Sequence, residues 1–379
     1  MSGPSRVSLG LWRAPLAVRA ALGAVFAVFA LWVGATVYLH FNPYYAISPG
    51  DALAVSTLVN VPADRSHAIH GSILLTDVYL GPVSAAQLPG DLLDPYVDLE
   101  PQVNVLGPGG TPSQLSAISA FQMQQSQDDA KIAALSHVGM PVTVRGKGAL
   151  VIGVIPHMPA SSAIKPDDVI TAVDGVQVAG PAQLKKIVNA HRPDEAVTLT
   201  VQAGIDGPVR TVHTHLGSGG NGPGARPLIG VEVYPDPVET YRLPFPISIN
   251  SDQIGGPSAG LAFSLGVIDA LSNGNLGGGT KIAATGEIDQ RGNVAPIGGL
   301  PQKTVAVRRA GATVFFVPYG QSARDYAQAR RNANGKVRIV KVHSLTDALT
   351  YLHRIGGDMQ GVSIQPVTSG SSPGTAPAS

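Results

Sequence analysis

The chain has 379 residues and a formal net charge of +1, and 44% of its residues are hydrophobic while only 13% are charged. This length allows two or three domains, each with its own hydrophobic core. The near-neutral charge, without a basic stripe that carries interleaved aromatic residues, argues against nucleic acid as the main partner. The absence of cysteine excludes a thiol nucleophile, disulfides and thiolate metal ligands. No H-E-x-x-H motif supports a metal centre, so the sequence indicates no metal and no cofactor.

The N-terminal region predicts a membrane anchor. Residues 1–19 contain arginines and no acidic residue, and residues 20–39 carry no charge. At about 1.5 Å per residue, the charge-free run matches a hydrocarbon core about 30 Å thick. Aromatic residues of the kind that form an interfacial belt lie at and just beyond its end: Trp32, Tyr38, Tyr44 and Tyr45.

A cleaved signal peptide is the alternative, but its apolar run is shorter than this one. We therefore predict a cytoplasmic N-terminus at 1–19 and one transmembrane helix at 20–39. The arginines on the N-terminal side of that helix predict a single-pass protein of the cell membrane, with the residues from 45 onward outside the cytoplasm.

The next part of the chain, residues 45–141, mixes strand and helix patterns. Residues 71–80 are rich in β-branched and apolar residues and predict a strand. Residues 81–112 are rich in Pro and Gly and predict a loop. Residues 113–137 place apolar residues at helical spacing and predict a helix.

Residues 142–216 predict a small unit of their own. The run 149–155 predicts a buried strand, and a Pro-His-Met-Pro-Ala turn and an Asp-Asp-Val-Ile segment follow it. A helix at 181–190 and a closing strand at 197–203 complete the pattern. The pattern resembles a bacterial PDZ domain, although Asp167 stands where many relatives have Gly.

The resemblance implies that this unit binds an extended peptide as an extra strand at a sheet edge, with backbone amides holding the terminal carboxylate. We predict the carboxylate-binding loop just before the receiving strand, at Gly146, Lys147, Gly148, Ala149 and Leu150. The alternative is that the unit is only a spacer. A Gly-rich linker at 217–227 follows it, and strands are predicted at 228–234 and 244–250.

A turn of small residues presents Ser258 at the start of a predicted helix. Pro257 suits a first helical position, and residues 259–271 are mostly apolar. The free N–H groups of a first helical turn and the positive end of the helix dipole favour negative charge, which a tetrahedral oxyanion carries. Ser258 is therefore a candidate nucleophile.

Lys303 is the candidate base for this serine. A serine hydroxyl is a weak nucleophile until a base removes its proton. Lys303 lies at the head of a second predicted helix, 302–310, directly after an Ile-Gly-Gly-Leu-Pro turn. Apolar surroundings would lower the pKa of its amine until the neutral form is available near pH 7.

Three segments in order resemble the proteolytic domain of Lon: Gly-Pro-Ser-Ala-Gly at 256–260, Thr-Gly-Glu-Ile at 285–288 and Pro-Ile-Gly-Gly-Leu-Pro-Gln-Lys at 296–303. The resemblance implies a dyad with Ser258 as nucleophile and Lys303 as general base, and it implies that Thr285 orients the lysine. At Gly255 Lon proteins often have an aspartate, so no carboxylate role carries over to that position.

The resemblance also assigns domains and partners. It places residues 45–141 and 228–355 in one protease domain, into which the PDZ unit is inserted. Related domains assemble into rings, so a homo-oligomer is expected. No Walker A motif occurs, and the whole pattern resembles the ATP-independent, membrane-anchored Lon-like PDZ proteases of Gram-positive bacteria. It implies an ATP-independent serine endopeptidase that cleaves extracytoplasmic proteins or peptides.

The rest of the chain predicts the fold class. Strands at 313–317 and 337–342 alternate with helices at 322–332 and 345–355, which predicts an α/β (α+β) architecture. Residues 360–379 are rich in Ser, Gly and Pro and predict disorder.

Two other functions stay open. Residues 256–260 also fit the G-x-S-x-G nucleophile elbow, whose partners here would be drawn from His343, His353, Asp325 and Asp347. Neither histidine lies in a Gly-rich loop. The other alternative is a membrane-tethered PDZ scaffold with an inactive protease fold.

Overall fold

The structure is a computed structural model that describes residues 16–40, 44–67, 72–140, 142–220, 222, 225–235, 237–251, 254–272 and 274–362. The predicted cytoplasmic segment up to residue 15 and the predicted disordered tail from residue 363 lie outside the described residues. The described residues form two compact units, one within residues 16–49 and 79–111 and the other within residues 50–78 and 112–362.

The first elements of the chain are α1 (Leu16–His40), β1 (Tyr44–Ala54), β2 (Val59–Asn60), β3 (Ser72–Val83), α2 (Leu88–Leu93), β4 (Asp98–Pro101) and α3 (Gln102–Leu106). In the first unit, β1 pairs antiparallel with β4, with Tyr44 opposite Pro101 and Ile47 opposite Asp98. The predicted loop at 81–112 is therefore wrong, since it contains two helices and a strand. Two of its prolines occupy positions that helix starts tolerate, since Pro89 lies in the first turn of α2 and Pro101 caps α3.

Helix α1 includes the whole charge-free run of residues 20–39. In the part of the chain that the structure describes, no helix is long and apolar enough to cross a membrane. The predicted transmembrane helix is thus not supported.

The second unit continues with α4 (Pro112–His137), as predicted, and then a small domain at residues 143–215. Its elements are β5 (Thr143–Val154), β6 (Asp168–Val173), β7 (Val176–Gln177), α5 (Pro181–Val188), β8 (Ala196–Ala203) and β9 (Val209–His215). The main sheet has the antiparallel order β5-β6-β8-β9, and Leu184 and Val188 of α5 belong to its hydrophobic core. The domain closes with β9 rather than with the predicted strand at 197–203, which is β8.

The predicted linker and the predicted strand after it contain three short strands, β10 (Gly217–Gly219), β11 (Arg226–Leu228) and β12 (Val231–Val233), and β13 (Val238–Arg242) follows them. Strands β10 and β11 pair with each other, and β12 and β13 both pair with β5. The predicted strand at 228–234 is interrupted at Gly230, where a Cβ atom would lie 2.4 Å from Met158.

The remaining elements are β14 (Ser248–Ile249), α6 (Gly260–Leu271), β15 (Lys281–Ala284), β16 (Glu287–Ile288), β17 (Val294–Ala295), α7 (Leu300–Arg309), β18 (Val314–Pro318), α8 (Ala323–Ala333), β19 (Arg338–Val342) and α9 (Leu345–Arg354). The predicted strand at 244–250 shortens to β14, because Pro244 and Pro246 cannot donate hydrogen bonds to a neighbouring strand. The predicted helices and strands after residue 300 are confirmed to within about two residues.

A sheet with the order β19-β18-β15-β3-β1 forms the centre of the second unit. Strand β15 runs parallel to β3 and β18, and β18 runs parallel to β19. Alternate side chains of the sheet enter two cores. One contains residues of α4, α6 and α9, and the other contains residues of α7 and α8. The fold is mixed α/β, as predicted, and the sheet supports both helices that carry the candidate site.

Candidate active site

Ser258 lies in a short 3-10 turn, Pro257–Ala259, directly before α6. The helix therefore begins later than predicted, and Ser258 precedes its first turn. Gly256 has φ +82°, a left-handed conformation that glycine adopts without strain. The turn is closely packed, because a Cβ atom on Gly260 would lie 2.7 Å from Ile288. The result is a partly exposed serine on a rigid turn.

Helix α4 holds this turn from one side. The N–H of Gly256 donates to the carbonyl of Ser119 at 2.8 Å, and the hydroxyl of Ser126 donates to the carbonyl of Pro257 at 2.9 Å. A Cβ atom on Gly255 would lie only 2.9 Å from the Cβ of Ser119. The close approach of α4 explains why glycine, and no larger residue, occupies position 255.

Lys303 lies in the first turn of α7, which begins two residues earlier than predicted because Gly299 caps it in a left-handed conformation. Its Nζ lies 2.6 Å from Ser258 Oγ. The same amine donates to the carbonyl of Thr76 at 2.9 Å and to Thr285 Oγ1 at 3.2 Å. The structure therefore brings together the serine, the lysine and the threonine that the sequence singled out.

Thr285 connects the two partners. Its hydroxyl donates to the carbonyl of Ser258 at 3.0 Å, so its oxygen accepts from Lys303. A neutral lysine amine has two N–H donors and one lone pair. With the donors directed at Thr76 and Thr285, the lone pair is left for the hydroxyl of Ser258.

Burial makes this neutral form accessible. The side chain of Lys303 is 2% exposed. Burial lowers the pKa of Lys303 to about 8, and the negative charge of Asp77 opposes part of that shift. A lysine in water has a pKa near 10.4. The amine is thus neutral in a useful fraction of molecules near neutral pH.

The histidines of the alternative hydrolase hypothesis are engaged elsewhere. The ring of His343 stacks on Tyr319 with 3.9 Å between centroids, and Asp347 accepts a hydrogen bond from the backbone of His343 rather than from its imidazole. His353 is exposed on the last turn of α9. Among the described residues, the base in contact with Ser258 is Lys303.

The predicted carboxylate-binding loop is wrong as a loop. Residues 146–150 lie inside β5, which begins at Thr143. Gly146, Lys147 and Gly148 pair with β13, while Ala149 and Leu150 pair with β6. The loop was predicted from the position of these residues before the receiving strand. A Cβ atom on Gly148 would lie 2.4 Å from Val169, so this glycine permits a close strand contact.

A second buried polar cluster joins α4 to the small domain. Lys131 Nζ lies 2.7 Å from Asp128 on the same helix and 2.5 Å from Asp206, in the turn between β8 and β9. Burial raises the pKa of Asp128 to about 6 and that of Asp129 to about 7. Asp128 and Asp129 line a cavity of about 290 Å³ between α4 and the small domain.

Some of these contacts were not predictable. Thr76 contacts Lys303 through its backbone carbonyl, which every residue type has, so the sequence does not indicate this contact. Ser119 and Ser126 lie on a helix more than a hundred residues before the turn that they hold. The serines on one side of α4 were the available signal, but serine on a helix surface has no specific meaning.

The fold and the site together define a class of protein: a mixed α/β domain that holds a serine against a buried lysine, joined to a small β domain. Comparisons with known proteins agree with this description. Residues 251–354 match the Lon protease (S16) C-terminal proteolytic domain, and residues 136–216 match the PDZ domain. The resemblance to a Lon-like protease with a PDZ domain is therefore confirmed.

Curated relatives match over the catalytic region. Lon protease 2 of Herpetosiphon aurantiacus is 37% identical over 94 residues, which is 25% of this chain and 11% of that protein. The Lon protease of Clostridioides difficile is 38% identical over 94 residues, which is 25% of this chain and 12% of that protein. The chain thus spans about a tenth of the length of these relatives.

Among solved structures, the PDZ domain of an SdrC-like protein from Listeria monocytogenes is similar at 19% identity. The similarity covers 23% of this chain and 86% of that domain, with a TM-score of 0.21.

Proposed function

We propose that the chain is a serine endopeptidase that uses Ser258 as nucleophile and Lys303 as general base. The observation that carries the proposal is the 2.6 Å contact between Lys303 Nζ and Ser258 Oγ in a setting that lowers the pKa of the lysine to about 8. A base with a pKa near the working pH combines a sufficient neutral population with useful basicity. The Lon-type match over residues 251–354 supports the reaction class.

The proposed reaction has two halves. Neutral Lys303 takes the proton of Ser258 as the serine oxygen attacks a peptide carbonyl, and backbone N–H groups of the Ser258 turn hold the oxyanion. Lys303 then protonates the leaving amine, and water hydrolyses the acyl-enzyme with the lysine again as base. Thr285 holds the amine in line with the serine throughout.

The proposed substrates are unfolded or extended segments of proteins, and the PDZ domain binds substrate or regulatory peptides. Cleavage without ATP stays a prediction, based on the lack of a Walker A motif in the sequence. Membrane attachment, a location outside the cytoplasm and a homo-oligomeric state also stay predictions. Protease shaving of intact cells tests the location, and sedimentation of the purified chain tests the oligomeric state.

The reaction is tested with a labelled unfolded protein incubated with the wild-type chain or with Ser258→Ala, with and without ATP. The expected result is a ladder of internal cleavage products from the wild type, equal with and without ATP, and no products from the variant. Mass spectrometry of the products separates endopeptidase from exopeptidase activity. Undiminished cleavage by Ser258→Ala would refute the proposed nucleophile.

A further inference from the structure

The edge of β5 that faces away from β6 is occupied by the chain itself. On one side β5 pairs with β6, where Ala149 is opposite Ile170. On its other side β12 pairs antiparallel with β5, with Val231 opposite Val154 and Val233 opposite Val151. Two hydrogen bonds extend this pairing, from Ile155 N to Gly230 O at 2.9 Å and from Tyr234 N to Leu150 O at 2.8 Å. An added strand of this kind is how PDZ domains bind peptides.

The occupying residues also fill apolar space. Ile229 is buried in the hydrophobic core of the PDZ domain, and Val231 and Val233 pack against the same core, to which Leu184 and Val188 of α5 contribute. Further along, Pro237 lies 2.7 Å from the position that a Cβ atom on Gly180, the residue before α5, would take. The segment therefore combines backbone pairing to β5 with side-chain packing on the core that α5 completes.

The pairing of β12 with β5 is short and irregular. Strand β12 has three residues, and its register with β5 shifts between Glu232 and Val233. Val231 and Val233 are only half-buried, and Glu232 is exposed. The cavity of about 290 Å³ lies against Tyr234 and Pro237. A peptide with a longer regular strand can therefore compete for the same edge.

We propose that residues 229–234 are an internal ligand of the PDZ domain. An extended peptide with apolar residues at alternate positions binds the edge of β5 only by displacing them. The proposal rests on the peptide-binding role given to this domain above. A tethered ligand competes at an effective concentration on the order of millimolar, and an internal ligand that covers the site in about nine of ten molecules weakens the apparent affinity for a free peptide about tenfold.

The probe is a fluorescein-labelled peptide with the sequence of residues 228–234, Leu-Ile-Gly-Val-Glu-Val-Tyr. Its binding to the full chain is measured by fluorescence anisotropy in a Ser258→Ala background, so the result does not depend on cleavage. A failure of binding then stays distinct from a failure of the proposed catalysis.

A disulfide locks the internal ligand in place. A Cβ atom on Gly153 would lie 3.5 Å from the Cβ of Glu232, within the range that disulfides use, and the chain has no other cysteine. In Gly153→Cys/Glu232→Cys, the oxidised protein is expected to bind no probe. Reduction of the same sample is expected to restore the binding of the Ser258→Ala parent.

A second variant loosens the internal ligand. Val231→Ser/Val233→Ser removes two of its three apolar contacts with the core and is expected to bind the probe at least tenfold more tightly. Glu232→Ala changes an exposed residue of the same strand and is expected to bind like the parent. If the double serine variant unfolds, the comparison of the oxidised and reduced disulfide samples still tests the proposal.

Equal binding of the probe by the oxidised and reduced disulfide protein would overturn the proposal, because the segment would then not cover the peptide site. Absence of binding by every form, the loosened variant included, would also overturn it. In that case the edge of β5 would be a structural pairing only and not a peptide-binding site.

Discussion

Raising the pH from 6 to 8 is expected to raise the rate of peptide cleavage at limiting substrate concentration about fiftyfold. Only the neutral form of Lys303 accepts the proton of Ser258, and burial lowers the pKa of this lysine to about 8. With that pKa, the neutral fraction is about 1% at pH 6, about 9% at pH 7 and about half at pH 8. The rate therefore rises with pH and levels off above about pH 9.

The assay is the initial rate of cleavage of a short fluorogenic peptide in buffers of constant ionic strength. Asp77→Asn provides a test of the electrostatic reasoning. The negative charge of Asp77 raises the pKa of Lys303 against the effect of burial, so its removal is expected to move the midpoint of the profile to lower pH. Asparagine keeps an oxygen that can accept the hydrogen bond from Asp51 N.

A carboxylate that titrates in the same range is the necessary control. Burial raises the pKa of Asp129 to about 7, but Asp129 is not among the contacts of Lys303 or Ser258. The midpoint in Asp129→Asn is expected to equal that of the wild type. A flat profile between pH 6 and 8, or a midpoint near 6.5 as for a histidine base, would refute the assignment of Lys303.

The other predictions concern the hydrogen bond from Lys303 to Thr285 and the polar cluster that joins α4 to the PDZ domain. Thr285→Val removes the hydroxyl that accepts a hydrogen bond from Lys303 and is expected to lower kcat about tenfold or more. Thr285→Ser keeps a hydroxyl and is expected to retain most of the wild-type kcat. An unchanged kcat in the valine variant would show that Thr285 has no role in the site. Lys131→Met leaves the buried carboxylate of Asp128 and the partly buried carboxylate of Asp206 uncompensated. It is expected to lower the free energy of unfolding by about 3–5 kcal/mol in urea titration, and a change below about 1 kcal/mol would contradict a stabilising role of this ion pair. Because the pKa of Asp129 is higher in the folded state than in the unfolded state, its ionisation lowers stability as pH rises from about 4 to 7. Asp129→Asn is therefore expected to stabilise the chain by about 2 kcal/mol at pH 8, allowing for solvent screening, and to have little effect at pH 4.

The candidate site was predictable because its key residues lie in three short sequence motifs, at 256–260, 285–288 and 296–303. Ser258 lies just before a helix and Lys303 in the first turn of another, and each follows a turn rich in Gly and Pro that restricts the backbone locally. The meeting of the two helix starts depends on parallel strands that pair far-apart parts of the chain, yet the order of motifs was enough to indicate it. The partners of these residues on α4 and β3 act through packing and backbone atoms, which residue types do not specify.

Two of the errors arose in different ways. Residues 81–112 are rich in Gly and Pro and were predicted as a loop for that reason, whereas residues 146–150 were predicted as a loop from their position before the receiving strand of the PDZ resemblance. In the structure, Pro101 precedes a helix and Gly148 allows two strands to approach closely. The local preference of these residues for turns was overridden by tertiary contacts, which sequence patterns do not contain. At residues 244–250 the apolar residues predicted a strand, and too little weight was given to Pro244 and Pro246. These prolines cannot donate hydrogen bonds to a neighbouring strand, so the observed strand is shorter.

The proposed catalysis depends on Lys303 as the base that activates Ser258. The most direct measurement compares cleavage of an unfolded protein by the wild-type chain and by Lys303→Ala at pH 8, with thermal unfolding of both proteins as the control for folding. Loss of activity in the folded variant by at least about a thousandfold is the predicted result. Wild-type activity in Lys303→Ala would contradict this role and show that another group accepts the proton of Ser258.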